Sequence, residues 1–330
     1  SEVYDDNATP DYTYCLIQGL SPTGNLDGTN PANNPLFISQ PNSNNAPTTA
    51  GDLRLRPCSP AVNMGNNADN NTSTDLDGNP RLVSTIDLGA YELQSTTSNL
   101  TFYVKTNGDD TKDGQSWDNA FKTLQKALQF ACSGDQVWVA QGTYYPDEGA
   151  GYTNNDRSVS FNLKEGVKIY GGFSGNETQL SGRNWATNVT IVSGDIDQNN
   201  TLDNGNAYNV LVNSNTNNTA ILDGFTVSGG YYGPDPGFPL RNARGSAMYN
   251  NTSSPTIRNC IFSKNVGFYG NTYNLNSSAT FTNCVFVQND NNAAFNEGGG
   301  TTSYINCTFA ANARAINNGG STNTIVKNGI

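Results

Sequence analysis

Thr256-Ile257-Arg258-Asn259-Cys260-Ile261-Phe262, Thr280-Phe281-Thr282-Asn283-Cys284-Val285-Phe286 and Ser303-Tyr304-Ile305-Asn306-Cys307-Thr308-Phe309 are three versions of one pattern. A further Asn follows each, at Asn265, Asn289 and Asn312. Cys260 and Cys284 lie 24 residues apart, and Cys284 and Cys307 lie 23 apart. Short β-type runs punctuated by Asn at such a period mark a solenoid in which each turn is one coil. Its columns divide by chemistry. Ile257, Phe281 and Tyr304 form one inward column, the cysteines a second, and Phe262, Phe286 and Phe309 a third. Asn tolerates left-handed backbone and stacks in amide ladders, so the Asn column suits the corners between strands. Successive coils then pair as parallel strands about 4.8 Å apart. The pattern predicts an all-β chain, a right-handed parallel β-helix with a short N-terminal capping helix.

Working outward, composition agrees. Hydrophobic residues make up 35% and charged residues 14% of the 330 residues, with 34 Gly. That is too polar for a thick globular core and too rich in Val, Ile, Phe and Tyr for disorder. A net charge of −11 and a pI near 4.3 argue against nucleic acid and anionic membrane surfaces as partners. No transmembrane run or signal peptide is read, which fits a mature or excised segment. Six cysteines do not make a dense disulfide framework.

The chain divides into four parts by pattern. In residues 1–20, Tyr12-Thr13-Tyr14-Cys15-Leu16-Ile17 matches the later coils, with Tyr12, Cys15 and Ile17 in the inward columns. This part reads as the final coil of a preceding β-helix. Residues 21–97 are rich in Pro, Asn and Gly, and the periodicity fades. Residues 98–147 restart with the strand Thr101-Phe102-Tyr103-Val104 and an amphipathic helix over 118–131. Phe121, Leu124, Ala127, Leu128 and Ala131 fall at helical spacing, with Ser116 or Asp118 as N-cap. A helix over the first coil covers an otherwise open strand edge. Residues 148–330 hold the coils.

Cys58-Ser59-Pro60-Ala61-Val62-Asn63-Met64-Gly65, Asp75-Leu76-Asp77-Gly78-Asn79-Pro80-Arg81 and Asp87-Leu88-Gly89-Ala90-Tyr91-Glu92 resemble the segment that closes β-helices in large bacterial surface proteins, the choice-of-anchor Q domain. Asp75, Asp77 and Arg81 read there as turn formers and a salt bridge at the cap. Residues 117–145, with Val167-Lys168-Ile169-Tyr170-Gly171-Gly172-Phe173 and Gly175-Asn176-Glu177-Thr178, resemble pectin-lyase-like β-helices in surface proteins of the Bacteroidota. The resemblance continues through Val189-Thr190-Ile191-Val192-Ser193-Gly194-Asp195 and Leu222-Asp223-Gly224-Phe225-Thr226-Val227. It implies fold and an extracellular, cell-surface setting, but no one activity, since such helices serve many roles.

Two excursions interrupt the coils. Asp195, Asp197, Asn199 and Asp203 stand at the 1, 3, 5 and 9 positions of a calcium-type loop. Asn200 replaces the turn Gly, and position 12 is Asn206 rather than a bidentate Glu, so calcium and a plain Asx-rich turn both remain open. The second excursion, 231–244, carries Tyr231, Tyr232, Phe238, Arg241 and Arg244, a composition suited to contact with a glycan or a surface protein. Packing of the loop onto the helix flank is the other reading.

Chemistry is sparse in the pattern. Histidine is absent, which removes His-based acid–base catalysis and His metal sites. No Lys or Arg adjoins Asp195, Asp197 and Asp203 in sequence, although Arg183 could approach across coils. The expectation is a protein that is not an enzyme but a structural or adhesive segment of a surface protein or filament. A carbohydrate-binding β-helix or a polysaccharide lyase is the alternative. The ends add an expectation of head-to-tail neighbours. Asn323-Thr324-Ile325-Val326 repeats the coil pattern with Thr324 in the cysteine column. Joining residue 330 to residue 1 of another copy would place Cys15 21 residues further on.

Overall fold

The computed structural model describes residues 10–19, 24–41, 47–96, 98–233 and 244–330. The chain divides into two compact units, Ser1–Ser98 and Asn99–Ile330. No helix among the described residues is long and apolar enough to cross a membrane.

In the first unit, Leu16–Ile17 pairs in parallel with Leu26–Asp27, and Phe37–Ser39 pairs antiparallel with Asp52–Leu55. Tyr14 stands at φ 52° just before the half-buried thiol of Cys15. Asp75 builds the turn read from the sequence: its carboxylate accepts the N–H groups of Asp77 at 3.0 Å, Asn79 at 2.9 Å and Glu92 at 3.1 Å. Arg81 pairs with Glu92 at 3.4 Å and donates to the carbonyls of Asp87 and Gly89. Asp77 joins the turn through its N–H, while its exposed carboxylate lies 3.9 Å from Arg54.

The second unit is a parallel β-helix of three sheets with eight, six and five strands. The first sheet runs from Thr101–Val104 through Lys168–Phe173, Ile221–Asp223 and Thr256–Arg258 to Asn323–Lys327. The second includes Ile261–Ser263, Val285–Val287 and Thr308–Ala310. The third comprises Leu211–Ser214, Met248–Asn251, Thr272–Leu275, Asn292–Glu297 and Arg314–Gly319. The solenoid is right-handed, the hand that twisted strands impose on parallel crossovers.

Register makes the columns physical. Ile257 faces Phe281, which faces Tyr304, and all three are fully buried. Phe262, Phe286 and Phe309 stack nearly parallel, with ring centroids 4.9 and 4.7 Å apart. The corner between first and second sheets is left-handed at Asn259, Asn283 and Asn306, with φ of 52°, 53° and 54°. Asn tolerates this better than most residues. At the next corner the left-handed residues are Lys264, Gln288 and Ala311. There Asn265, Asn289 and Asn312 turn inward: Asn265 Nδ2 donates to Asn289 Oδ1, and Asn289 Nδ2 to Asn312 Oδ1, each at 3.0 Å.

Three expectations need correction. The helix is Leu124–Phe130, and its N-cap is Thr123, not Ser116 or Asp118. Asp110 explains the late start. Its carboxylate accepts the N–H groups of Lys122 at 2.8 Å and Thr123 at 3.0 Å, holding 122–123 outside the helix. Phe121 accordingly sits in an isolated bridge with Val104. Finally, Thr324 is not in the cysteine column: it pairs with Thr302, and Val326 with Tyr304. Asn328 takes the left-handed corner and Ile330 N–H bonds the Cys307 carbonyl at 3.1 Å, so Gly329 occupies the cysteine position. The spacing counted through Thr324 for a joined neighbour loses its anchor.

Cys260, Cys284 and Cys307 are buried free thiols. Burial pushes the Cys284 thiol well above its ordinary range, keeping it protonated and unreactive. In-register stacking holds Cβ atoms near the strand spacing of about 4.8 Å, beyond the roughly 3.8 Å that a disulfide prefers. Because all three are buried, alkylation under native conditions should miss them, and alkylation after denaturation should label each. A cross-linked peptide joining Cys260 to Cys284, or Cys284 to Cys307, would count against this account.

Candidate functional site: an aromatic face on the third sheet

Strand alternation places successive side chains on opposite faces. In the third sheet one set points inward as an amide ladder. Asn213 donates to Asn250 at 2.8 Å, Asn250 to Asn274 at 2.7 Å, Asn274 to Asn296 at 2.9 Å and Asn296 to Asn318 at 3.1 Å. The alternate set, Tyr249, Tyr273 and Phe295, pairs in register on the other face. Tyr273 and Phe295 stack with centroids 5.1 Å apart, and Tyr249 meets Tyr273 edge-on at 5.8 Å. Tyr269 reaches both Tyr273 and Phe295 and carries the exposed Phe268 beside it.

Two opposite charges flank these rings. The Arg244 guanidinium lies 5.3 Å from the Tyr273 ring centroid, and the Tyr273 hydroxyl donates to Glu297. Burial, aided by Glu297, pushes that hydroxyl above its ordinary range, so it remains a donor. Arg and Tyr around an exposed aromatic make a surface of the composition enriched at protein contacts. Among the described residues read from the second excursion, Arg244 alone joins this face. Tyr232 stacks on Tyr208 at 5.2 Å and donates to Asn209 at 2.9 Å, while Arg157 covers Tyr208 at 4.1 Å. Tyr231 bridges to Val266. Both tyrosines thus anchor the base of the loop. Phe238 and Arg241 lie outside the described residues. Tyr249, Tyr273, Phe295, Phe268 and Tyr269 are absent from the sequence reading, although an aromatic one place before Asn250, Asn274 and Asn296 was a visible signal.

The Asp195–Asp203 stretch forms an Asx-rich turn. Asp195 accepts the N–H groups of Asn199 and Asn200, and the Asn199 amide donates to Asp197 at 2.8 Å and Asp203 at 3.3 Å. Asp203 also takes the Gly205 N–H at 2.7 Å. The left-handed positions are Gln198 and Asn200. Among the described residues, no group of three or more Asp, Glu, His or Cys is placed to hold a metal ion between them. Arg183 does not approach this turn. It pairs with Asp223 at 2.8 Å, and both side chains are largely buried. It also bonds the Gly171 and Asp223 carbonyls and lies over Tyr170 and Trp185. Arg258 completes the group, 3.4 Å from the second Asp223 oxygen.

Three sheets wound as one solenoid, with side-chain ladders inside, define a parallel β-helix. The chain belongs to the family described as "Protein of unknown function (DUF1565)", whose model matches residues 106–330. No curated protein matches its sequence. Solved structures that share the fold include one titled "Rhamnogalacturonan lyase", 16% identical with a TM-score of 0.41. That match covers 69% of this chain and 62% of the other. A second is titled "Crystal structure of pectate lyase Pel9A", 13% identical with a TM-score of 0.40, covering 70% of this chain and 62% of the other. The chain therefore spans less than two thirds of either lyase, and the likeness is one of fold. These neighbours overturn the expectation that the chain is not an enzyme, because both are named as lyases built on this fold. Lack of histidine is no ground for inertness.

Proposed function

We propose that the chain is a stiff structural segment of a large extracellular, cell-surface protein or filament, adhesive through the third-sheet face. What supports the reading is the aromatic face itself: Phe268 is 48% exposed beside an ordered Tyr269–Tyr273–Phe295 cluster flanked by Arg244 and Glu297. A side chain so placed on a rigid scaffold loses little further entropy on contact. The partners of this reading are glycans or surface proteins at that face, and neighbouring copies stacked head-to-tail along the axis. The choice-of-anchor Q and Bacteroidota resemblances favour the same setting.

The test is an array of glycans and cell-surface proteins probed with the wild type and with a Phe268→Ala/Arg244→Ala variant. Specific binding that falls at least tenfold in the variant, with an unchanged melting temperature, is the expected result. A glycan ligand would select the carbohydrate-binding form of the reading and a protein ligand the adhesin form. No specific binding, or binding indifferent to both substitutions, would remove the adhesive role.

A further inference from the structure

Asp147 follows the second-sheet strand Gly142–Tyr144 and is 3% exposed. One carboxylate oxygen, Oδ2, accepts the Asn155 N–H at 2.8 Å. The other, Oδ1, is buried without any hydrogen-bond partner. A buried carboxylate oxygen left unsatisfied is destabilising, and such orphans need an explanation. Asp147 is also among the residues that line a cavity of about 350 Å³, together with Asp110, Lys122, Glu148, Tyr152 and Asn154. Three acidic residues thus line one space with a single lysine. Burial and the Asp147 and Asp110 charges push the Glu148 carboxyl up, while Lys122 opposes them.

Asp110 is taken up by Lys122, Thr123 and its hydroxyl, and Glu148 Oε1 accepts the Gln198 amide at 3.4 Å. Among the buried side-chain atoms of this lining, Asp147 Oδ1 alone has no donor. We propose that this cavity is a divalent-cation site, of calcium type, in which Asp147 Oδ1 is the direct protein ligand and Glu148 and Asp110 act through bound water. Calcium accepts six to eight oxygens and fills its shell with water and backbone carbonyls where carboxylates are few. The site needs no convergence of three direct acidic ligands, and none is present among the described residues.

The position gives the ion a role. Gln125, on the capping helix Leu124–Phe130, donates its amide to the carbonyls of Pro146 and Ser160 and accepts the Tyr152 hydroxyl. A cation at Asp147 would lock this loop, and with it the helix that covers the first coil. The site is separate from the Asp195–Asp203 turn, apart from the Gln198–Glu148 bond.

The experiment is a thermal and calorimetric titration of EDTA-treated protein with calcium chloride, on the wild type, Asp147→Asn, Glu148→Gln and Asp195→Asn. Calcium at 100 times its dissociation constant should raise the wild-type melting temperature by about 5–10 °C. Asp195→Asn should keep that rise. Asp147→Asn should abolish it while melting no lower than the calcium-free wild type, since the amide removes a buried charge. Glu148→Gln should weaken binding about tenfold, and it reports on the site even if Asp147→Asn fails to fold. No shift in the wild type, a shift that survives Asp147→Asn, unaltered binding by Glu148→Gln, or loss in Asp195→Asn would overturn the proposal.

Discussion

Phe281→Ala is expected to destabilise the β-helix by about 3–5 kcal/mol, the usual cost of emptying a large aromatic site in a packed core. Phe281 is fully buried, stacked on Tyr304 at 5.1 Å and set edge-on to Phe262 at 5.9 Å and Phe286 at 5.7 Å. It therefore ties two inward columns together, and its removal leaves faces of three rings without partners. Because each coil contacts only its neighbours, the damage should be local. Amide hydrogen exchange should speed most in Thr256–Arg258, Thr280–Thr282 and Thr301–Ile305, with little change near Thr101–Val104. A loss below about 1 kcal/mol in chemical denaturation would mean that the coils close over the cavity, and the account of a rigid stack would be wrong.

The second large effect is expected at Asn274, the buried third member of the five-residue amide ladder. Asn274→Ala removes the acceptor of the Asn250 amide and the donor to Asn296, and the Tyr304 hydroxyl loses a contact at 3.3 Å. At about 1–3 kcal/mol for each orphaned buried group, the two broken ladder bonds give a loss of about 2–6 kcal/mol. Asn274→Gln should not restore stability, since the longer amide cannot keep the spacing. Equal denaturation midpoints for the wild type and the alanine variant would show that the ladder adds nothing beyond packing. Neither substitution touches the surface carrying Phe268, so binding by the folded fraction should persist.

Much of the solenoid was legible because its repeating units are short and chemically distinct. Each Asn before a cysteine marks a left-handed corner, and each following aromatic marks an inward position. The same similarity misled at Thr324, where Asn323-Thr324-Ile325-Val326 looks like Asn-Cys-Val-Phe but belongs one strand earlier in the coil. Only the hydrogen bonds to Thr301–Ile305 set that register. The five-member Asn ladder escaped notice because the loops between its members differ in length. Asn213 and Asn250 are 37 residues apart, whereas Asn274 and Asn296 are 22 apart.

The functional residues divide by the same reasoning. Sequence alone determined the parallel β-helix, the direction of its inward columns and the presence of a capping helix. These follow from local spacing and residue type, and each coil repeats the statement. Tertiary structure decided where the charges and rings outside the columns go. Arg183 turned to Asp223, across 40 residues, because stacking of coils brought that carboxylate beside Tyr170. Asp110 displaced the helix start from 13 residues away. Tyr249, Tyr273 and Phe295 became one face only when their strands aligned, and the unpartnered oxygen of Asp147 exists only in the folded loop. Periodicity records what every coil must share, while these contacts join residues whose separation follows no period.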